Sequence, residues 1–461
     1  MNVIIIMLDS LRYDHVGCYG NDWIRTPNID GFAKESVLFE NAYPEGIPTM
    51  PVRTSLFTGN KTLNTRYWQP LAPEDVSMAE ILDEYGYLNM MITDCYHMFK
   101  PNMNFHRGFH GFEWIRGQEI DGWRTDTHTA DLQGYIKDAH HGNRHMRGLD
   151  QYMRNIQDRK SEEEYFAAQV MRSAVTWLDR NHDHPIFDKF FLYVDSFDPH
   201  EPWDSPPPFD TMYTDPDYKG KHLMWPIGGP VGWITEEEVK HSRALYAGEV
   251  SFVDKWTGVL LDRIRDLDLM DRSIVILLSD HGHPIGEHGI IQKVGDNLYN
   301  ELIRIPFMIR FPKGEYGGKR INALVEIPDI LPTVLDYLNH PLDLEYMNGK
   351  SIIPLINGSV NKIHPYVTIG FFGSEDRCIR DEEWSFIRRT GDRKNELYNL
   401  IEDPEERNNL VDTSPNKAKE MDSAISVILN NRLQKEHWLQ MRYDVPGLCE
   451  GRHPPYARWM K

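Results

Sequence analysis

The sequence predicts an α/β fold, an α/β/α sandwich around a mainly parallel sheet over residues 1–363, followed by a small α+β subdomain over 364–461. Three observations predict it. Apolar runs at 3–8 and 273–279 are continuous rather than alternating, as in strands covered on both faces. Stretches with helical spacing lie between such runs, the order expected of a parallel sheet with crossover helices. From about His364 the pattern changes to short, separate strands. A chain of 461 residues with 40% apolar content can also bury the large core this layering needs.

The first strand, 3–8, runs into Asp9-Ser10-Leu11-Arg12-Tyr13-Asp14, and a loop Gly17-Cys18-Tyr19-Gly20 follows. An acid at the carboxyl end of a parallel strand lies where α/β sheets place their chemistry. Next comes Pro48-Thr49-Met50-Pro51-Val52-Arg53, closed by Thr58-Gly59. It reads as a helix with Thr49 as N-cap, Pro51 in the first turn and Gly59 as the stop. Arg53, one turn on, falls near Thr49, so the pair can hold a tetrahedral oxyanion at the positive end of the helix. Met78, Ile81, Leu82 and Tyr85 have helical spacing, and a strand at 88–93 ends in Asp94-Cys95-Tyr96-His97. A polar insert from about Arg116 to Arg159 carries His128, His140, His141 and His145 at irregular spacing and reads as a solvated lid rather than a metal site.

Ser161 and Glu164 form a capping box, and a strand at 190–195 then leads into Asp198-Pro199-His200-Glu201-Pro202-Trp203. Thr235 and Glu238 cap a long helix reaching about Leu267. The strand at 273–279 ends in Asp280-His281-Gly282-His283, a further strand is expected at 304–310, and a helix begins around Pro328–Thr333. Strands at 366–369 and 384–387 and a helix from about Pro415 complete the chain, which has no internal repeat.

Composition excludes several roles. The net charge is −20 with no basic run, which argues against nucleic-acid binding. No apolar run reaches about 18 residues, so no membrane span is expected. The chain opens on a strand without a charged leader, so no signal peptide is expected. Cys18, Cys95, Cys378 and Cys449 lack CxxC spacing, which suits reduced thiols. A cytoplasmic location is the expectation, and homo-oligomerisation is compatible with the sequence.

The stretch around Thr49 resembles the Cys/Ser-x-Pro-x-Arg…Thr-Gly signature of the sulfatases in the alkaline phosphatase superfamily. Ser279-Asp280-His281-Gly282, Gly286-Glu287-His288-Gly289, Lys293 and the segment 301–306 resemble that family's SDHG…GEHG…K…E-x-x-R-x-P series. Asp9, the Gly17–Gly20 loop, His200, Gly349-Lys350-Ser351 and Glu396-Leu397-Tyr398-Asn399-Leu400 fall in the family's order. The resemblance covers nearly the whole chain and implies an alkaline-phosphatase-like fold. It implies Asp9, Thr49, Asp280 and His281 as ligands of one divalent metal, with Thr49, Arg53, His200 and Lys293 as catalytic residues. Asp94, Tyr96 and His97 fall in the substrate-contact slot, and Arg116-Gly117-Gln118-Glu119 is a further place to read the leaving group.

Three departures refine that expectation. Formylglycine, the aldehyde sulfatases use, is made from cysteine or serine, and threonine cannot give it. Other branches of the superfamily, such as lipoteichoic-acid synthases and nucleotide pyrophosphatases, use an unmodified threonine on phosphorus. Ser10 replaces the second acid of the family's first metal-binding pair, and His281 stands where asparagine is common. Two carboxylates with an imidazole favour manganese or zinc over calcium or magnesium. His283 and His288 are spare candidates for a second ion, with loop packing as their expected role. The expectation is therefore a metal-dependent hydrolase of phosphodiesters or phosphonate monoesters through a Thr49 covalent intermediate. His200 is the first candidate to protonate the leaving group and Lys293 the second. The alternatives are a sulfatase using unmodified threonine and a catalytically degenerate binding protein.

Overall fold

The computed structural model describes residues 1–443 apart from 64, 128–130, 141–143 and 342–346. Its centre is an eight-stranded sheet in the order Arg320–Ile321, Val37–Phe39, Phe307–Arg310, Ser273–Leu278, Asn2–Leu8, Phe190–Ser196, Leu88–Thr93, Gly111–Trp114. Phe307–Arg310 runs antiparallel to its neighbours, and the other pairings are parallel. The central strand shows why its sequence is unbroken. Val3, Ile5 and Met7 point into one buried cluster, and Ile4, Ile6 and Leu8 into another on the opposite face. Ser273–Leu278 repeats the division, with Ile274, Ile276 and Leu278 facing one way and Val275 and Leu277 the other. Each such side chain contributes about 1.5–3 kcal/mol of burial.

Helices cover both faces. Phe166–Asn181 and the 31-residue Glu236–Asp266 lie on the Ile4 side, burying Val170, Met171, Val253, Leu260 and Ile264. Thr49–Thr58, Met78–Glu84 and Ile330–Tyr337 lie on the Ile5 side with Met50, Leu56, Leu82 and Leu331. The Thr235–Glu238 capping box forms as expected. The Ser161–Glu164 box opens a short 3-10 turn, Glu162–Glu164, just before Phe166–Asn181.

Three local expectations are corrected. Thr49 is not an N-cap: the helix begins on it, Pro48 holds the cap position, and no side chain caps the end. The strand expected at 304–310 begins only at Phe307, because Pro306 has no N–H to give a ladder. The polar insert contains a 13-residue helix, Arg144–Ile156, whose Leu149 and Tyr152 reach the core. Of its histidines, His140 packs edge-on against Trp233, and His128 and His141 lie outside the described residues. Among the described residues no helix is long and apolar enough to cross a membrane.

The second sheet has five strands in the order Glu396–Asn399, Trp384–Arg388, Arg377–Arg380, Val367–Phe371, Gly46–Ile47. Its last strand comes from the other end of the chain and pairs in parallel with Val367–Phe371. The small sheet thereby holds the segment that leads directly into Thr49. On its other side Met421 and Ile425 of the C-terminal helix pack on Ile379, Phe386 and Leu397. Arg380 ties the second sheet to the Asn300–Ile303 helix. Fully buried, it pairs with Glu406 and donates to the Asn300 side chain, while Glu406 Oε2 accepts the Asn300 N–H at 2.7 Å. Arg380→Ala leaves Glu406 buried without its cation and should cost about 3–5 kcal/mol in chemical denaturation, whereas Arg388→Ala, at a half-exposed pair with Asp422, should cost less than about 1 kcal/mol.

Candidate active site

The parallel pairing of Asn2–Leu8 with Ser273–Leu278, with Met7 opposite Leu278, brings Asp9 and Asp280 out side by side at the carboxyl ends of the strands. Phe190–Ser196 lies on the other flank, with Asp195 opposite Met7. Arg53, one turn into Thr49–Thr58, drops into the space between them and is 0% exposed. Its Nε and Nη2 donate to the two oxygens of Asp195 at 2.8 and 2.7 Å. Nη2 is also 3.0 Å from Asp9 Oδ2, and Nη1 donates to Asp280 Oδ2 at 3.0 Å and to the Thr49 carbonyl at 3.2 Å. One guanidinium therefore fixes three carboxylates and the backbone of Thr49. Hydrogen bonds to Asp195, Asp280 and the Thr49 carbonyl take most of the fork, so Arg53 holds these groups in place around Thr49.

Asp9, Asp280 and His281 form a cluster suited to a metal ion, all buried. His281 Nε2 lies 3.9 Å from Asp9 Oδ1 and 3.5 Å from Asp280 Oδ2. Its Nδ1 is 2.7 Å from the Gly282 carbonyl, which fixes the proton on Nδ1 and leaves the Nε2 lone pair facing the carboxylates. Burial pushes the imidazole down to about 4, so it is neutral, as a ligand must be. Among the described residues neither Nε2 nor Asp9 Oδ2 has a hydrogen-bond partner, the Arg53 contact to Asp9 Oδ2 being an ion pair only. Burial and the Asp280 carboxyl push Asp9 well above the carboxylate range, against the pull of Arg53. Burial opposes ionisation of Asp280 too, yet His281 and Arg53 hold it low. Three buried carboxylates against one guanidinium leave the site short of positive charge, and a divalent ion at the orphaned atoms supplies it. The residues fit such an ion.

Gly282 is required here. Its N–H donates to the Leu302 carbonyl at 2.7 Å, and a Cβ on it would run into the Glu301 carbonyl oxygen. Thr49, 2% exposed, has φ +33°, a region costly for a β-branched residue, and it is held there between the small sheet and Arg53.

His200 sits across from this group. Its Nδ1 is 2.6 Å from the Glu201 carbonyl, and its Nε2 faces Lys293 Nζ in a short contact. Burial, reinforced by Lys293, pushes the imidazole well below its usual range. A neutral His200 accepts at Nε2 and has no proton to give there, which favours Lys293 as the acid. Glu201 Oε2 lies 3.2 Å from His200 Nδ1, 3.4 Å from His283 Nδ1 and 3.6 Å from Lys293 Nζ. His283 is packed between Trp203 and Tyr246 and joins no metal cluster, while His288 pairs with Glu301 at 2.9 Å.

The Asp94, Tyr96 and His97 group divides. Asp94 Oδ1 accepts the Phe197 N–H at 2.6 Å and Oδ2 faces Gln118 at 3.4 Å, so Asp94 shapes the turn that carries His200. Tyr96 Oη donates to Glu119 Oε2 at 2.6 Å, and His97 Nε2 lies 3.2 Å from the same oxygen. Gln118 donates to Asp198 at 2.6 Å and Arg116 pairs with Asp121, so of that segment Glu119 is the residue beside His97. Asp195 and Glu201 escaped the sequence reading. Asp195 carried a signal: an acid in a strand buried on both faces needs a cation.

The sulfatase sequence profile matches residues 1–340, and that of the N-sulphoglucosamine sulphohydrolase C-terminal region matches 286–436. The chain belongs to the sulfatase family. An arylsulfatase of Clostridium perfringens is 25% identical, the match covering 91% of this chain and 92% of that one. A multifunctional alkaline phosphatase superfamily protein of Trinickia caryophylli is 24% identical over 77% of each. The phosphonate monoester hydrolase of Agrobacterium radiobacter has the same fold, with TM-score 0.72 at 21% identity over 94% of this chain and 96% of that one. Like its relatives, this sulfatase-family chain is a hydrolase by descent.

The cluster makes a prediction about metal content. The purified protein should carry close to one equivalent of a divalent metal by elemental analysis, and Asp280→Ala should lose it. Asp94→Ala should keep the metal while lowering thermal stability, because Asp94 supports a turn rather than the ion. Equal metal in wild type and Asp280→Ala would contradict the assignment.

Proposed function

We propose that this sulfatase-family protein hydrolyses phosphodiesters or phosphonate monoesters, with Thr49 as the covalent nucleophile. The observation that carries the reading is the residue at position 49, a threonine where the family's sulfatases bear a modified cysteine or serine. An alkyl sulfate on threonine has no aldehyde hydrate to expel the sulfate, so turnover would stall. A phospho-threonine is released by ordinary attack of water on phosphorus.

Thr49 Oγ1 gives its proton to solvent and attacks phosphorus in line, the ester oxygen leaves as an alcohol with a proton from Lys293, and the phosphoryl group rests on Thr49 until water displaces it, the proton of that water returning to Lys293. Asp9, Asp280, His281 and Thr49 would hold a divalent ion, manganese or zinc by the donor set, which supplies Lewis-acid polarisation and stabilises an alkoxide. Arg53 keeps Thr49 and the carboxylates in register. Lys293 supplies the proton to the leaving oxygen, and neutral His200 orients it through Nε2.

Purified, metal-replete protein should hydrolyse an aryl phosphodiester or phosphonate monoester at least about a hundredfold faster than the matching aryl sulfate, read as kcat/KM. Thr49→Ser should retain turnover, and Thr49→Ala should lose several powers of ten, as removal of a covalent nucleophile does. A preference for the sulfate would overturn the reading and favour a sulfatase that uses threonine directly.

A further inference from the structure

The turn after Phe190–Ser196, Asp198-Pro199-His200-Glu201-Pro202-Trp203, places an imidazole and a carboxylate side by side. Trp203 fastens it. Its Nε1 donates to the Pro199 carbonyl at 3.2 Å, its N–H donates to the Met224 carbonyl at 2.9 Å, and its ring packs against His283 and Tyr246. Glu201 is held inside this turn and is 3% exposed.

From there Glu201 meets both members of the His200–Lys293 pair. Its backbone carbonyl lies 2.6 Å from His200 Nδ1, and its carboxylate Oε2 lies 3.2 Å from the same nitrogen. That Oε2 also stands 3.6 Å from Lys293 Nζ, the group that faces His200 Nε2. His283 Nδ1 is the third nitrogen beside it, at 3.4 Å. Burial keeps His200 and His283 well below their usual range and neutral, so of the three neighbours Lys293 is the cation. Among the described residues Oε2 accepts no hydrogen bond. The structural carboxylates nearby are different: Asp195 takes Arg53 on both oxygens, and Asp198 takes Gln118 and the Ala167 N–H. The Glu201 oxygen is left facing the acid.

We propose that Glu201 is a positioning residue for the hydrolysis, its carboxylate keeping the proton on Lys293 and the Nδ1–H of His200 turned inward. The Lys293–His200 pair then meets the leaving oxygen with an N–H already in place. Glu201 touches no reacting atom and acts through Lys293. This rests on the reading of Lys293 as the acid, and it holds for phosphorus or sulfur at the reacting centre. Burial pushes the Glu201 carboxyl up to about 7, against the pull of Lys293. Its charge is therefore present above that pH and lost below it. The titratable groups facing it are His200, His283 and Lys293, with the Glu119 carboxyl acting through space.

The test compares two esters on the metal-replete protein. The leaving group of p-nitrophenyl phenylphosphonate departs without a proton, whereas that of phenyl phenylphosphonate departs far more readily with one. Glu201→Gln keeps the shape of the side chain and removes its charge. It should lower kcat/KM for the phenyl ester by about ten- to a hundredfold and for the p-nitrophenyl ester by less than about threefold. Lys293→Ala should show the same selectivity with a larger loss. A residue that only supports the fold would slow both esters alike. In wild type the advantage of the p-nitrophenyl ester should widen as pH falls through about 7, and in Glu201→Gln it should stay constant over that range. The wild-type profile reads the same carboxylate if the variant does not fold. Equal losses on both esters in Glu201→Gln would overturn the proposal, as would a wild-type ratio that does not move through that pH. Lys293→Ala slowing both esters alike would overturn the acid and the proposal together, whereas a selective Lys293→Ala beside a non-selective Glu201→Gln would remove the role of Glu201 alone. If the matching aryl sulfates prove the better substrates, the phosphorus reading falls and the same ratio on p-nitrophenyl and phenyl sulfate decides the role of Glu201.

Discussion

The buried Arg53 guanidinium is the constraint on which the rest of the site depends. A charge fully removed from water is tolerated only when opposite charge surrounds it, and here Asp195 and Asp280 take its hydrogen bonds while Asp9 lies in ion-pair contact. The three acids stand on three adjacent strands or strand ends, so the parallel register of the sheet must be right for the arginine to be accommodated. The arginine stands one helical turn after Thr49, so its placement also fixes Thr49. Sheet register, helix docking and the position of Thr49 are thus one cooperative arrangement. Removing a single partner would leave an uncompensated charge in the core, at a cost of about 3–5 kcal/mol.

The same arrangement explains why a metal suits the site. One guanidinium cannot neutralise three carboxylates, and the surplus falls on the side where His281 turns an unshared lone pair toward Asp9 and Asp280. The small C-terminal sheet completes the frame from the opposite direction. By taking Gly46–Ile47 as an edge strand it anchors the chain just before Thr49. The peripheral sheet is therefore part of the active site's construction.

Much of this was legible in the sequence, and the parts that were not have a common cause. Strands buried on both faces write themselves as continuous apolar runs, so 3–8 and 273–279 were placed within a residue of Asn2–Leu8 and Ser273–Leu278. Asp9, Asp280 and His281 follow those runs directly, which is why their convergence could be read. What escaped depends on partners far away in the chain. Gly46–Ile47 is a two-residue strand with no pattern of its own, visible only through its pairing with Val367–Phe371. The carboxylates that surround Arg53 come from three separate strands, so the hold it has on them emerges only from geometry. Glu119 and His97 are 22 residues apart in sequence, and nothing local announces that they share a hydrogen bond. The N-cap expected of Thr49 fails for a local reason: the helix starts on it in a left-handed conformation, set by the strand before and Arg53 after.

The central claim is that unmodified Thr49 carries the reacting group during turnover. The most direct measurement is mass spectrometry of protein acid-quenched during hydrolysis of a phosphonate monoester or phosphodiester, followed by mapping of the peptide that contains Thr49. The account predicts a phosphonyl or phosphoryl adduct on Thr49 that is absent without substrate and absent in Thr49→Ala. Sustained turnover with Thr49 unmodified at every quench time, together with full activity of Thr49→Ala, would contradict it.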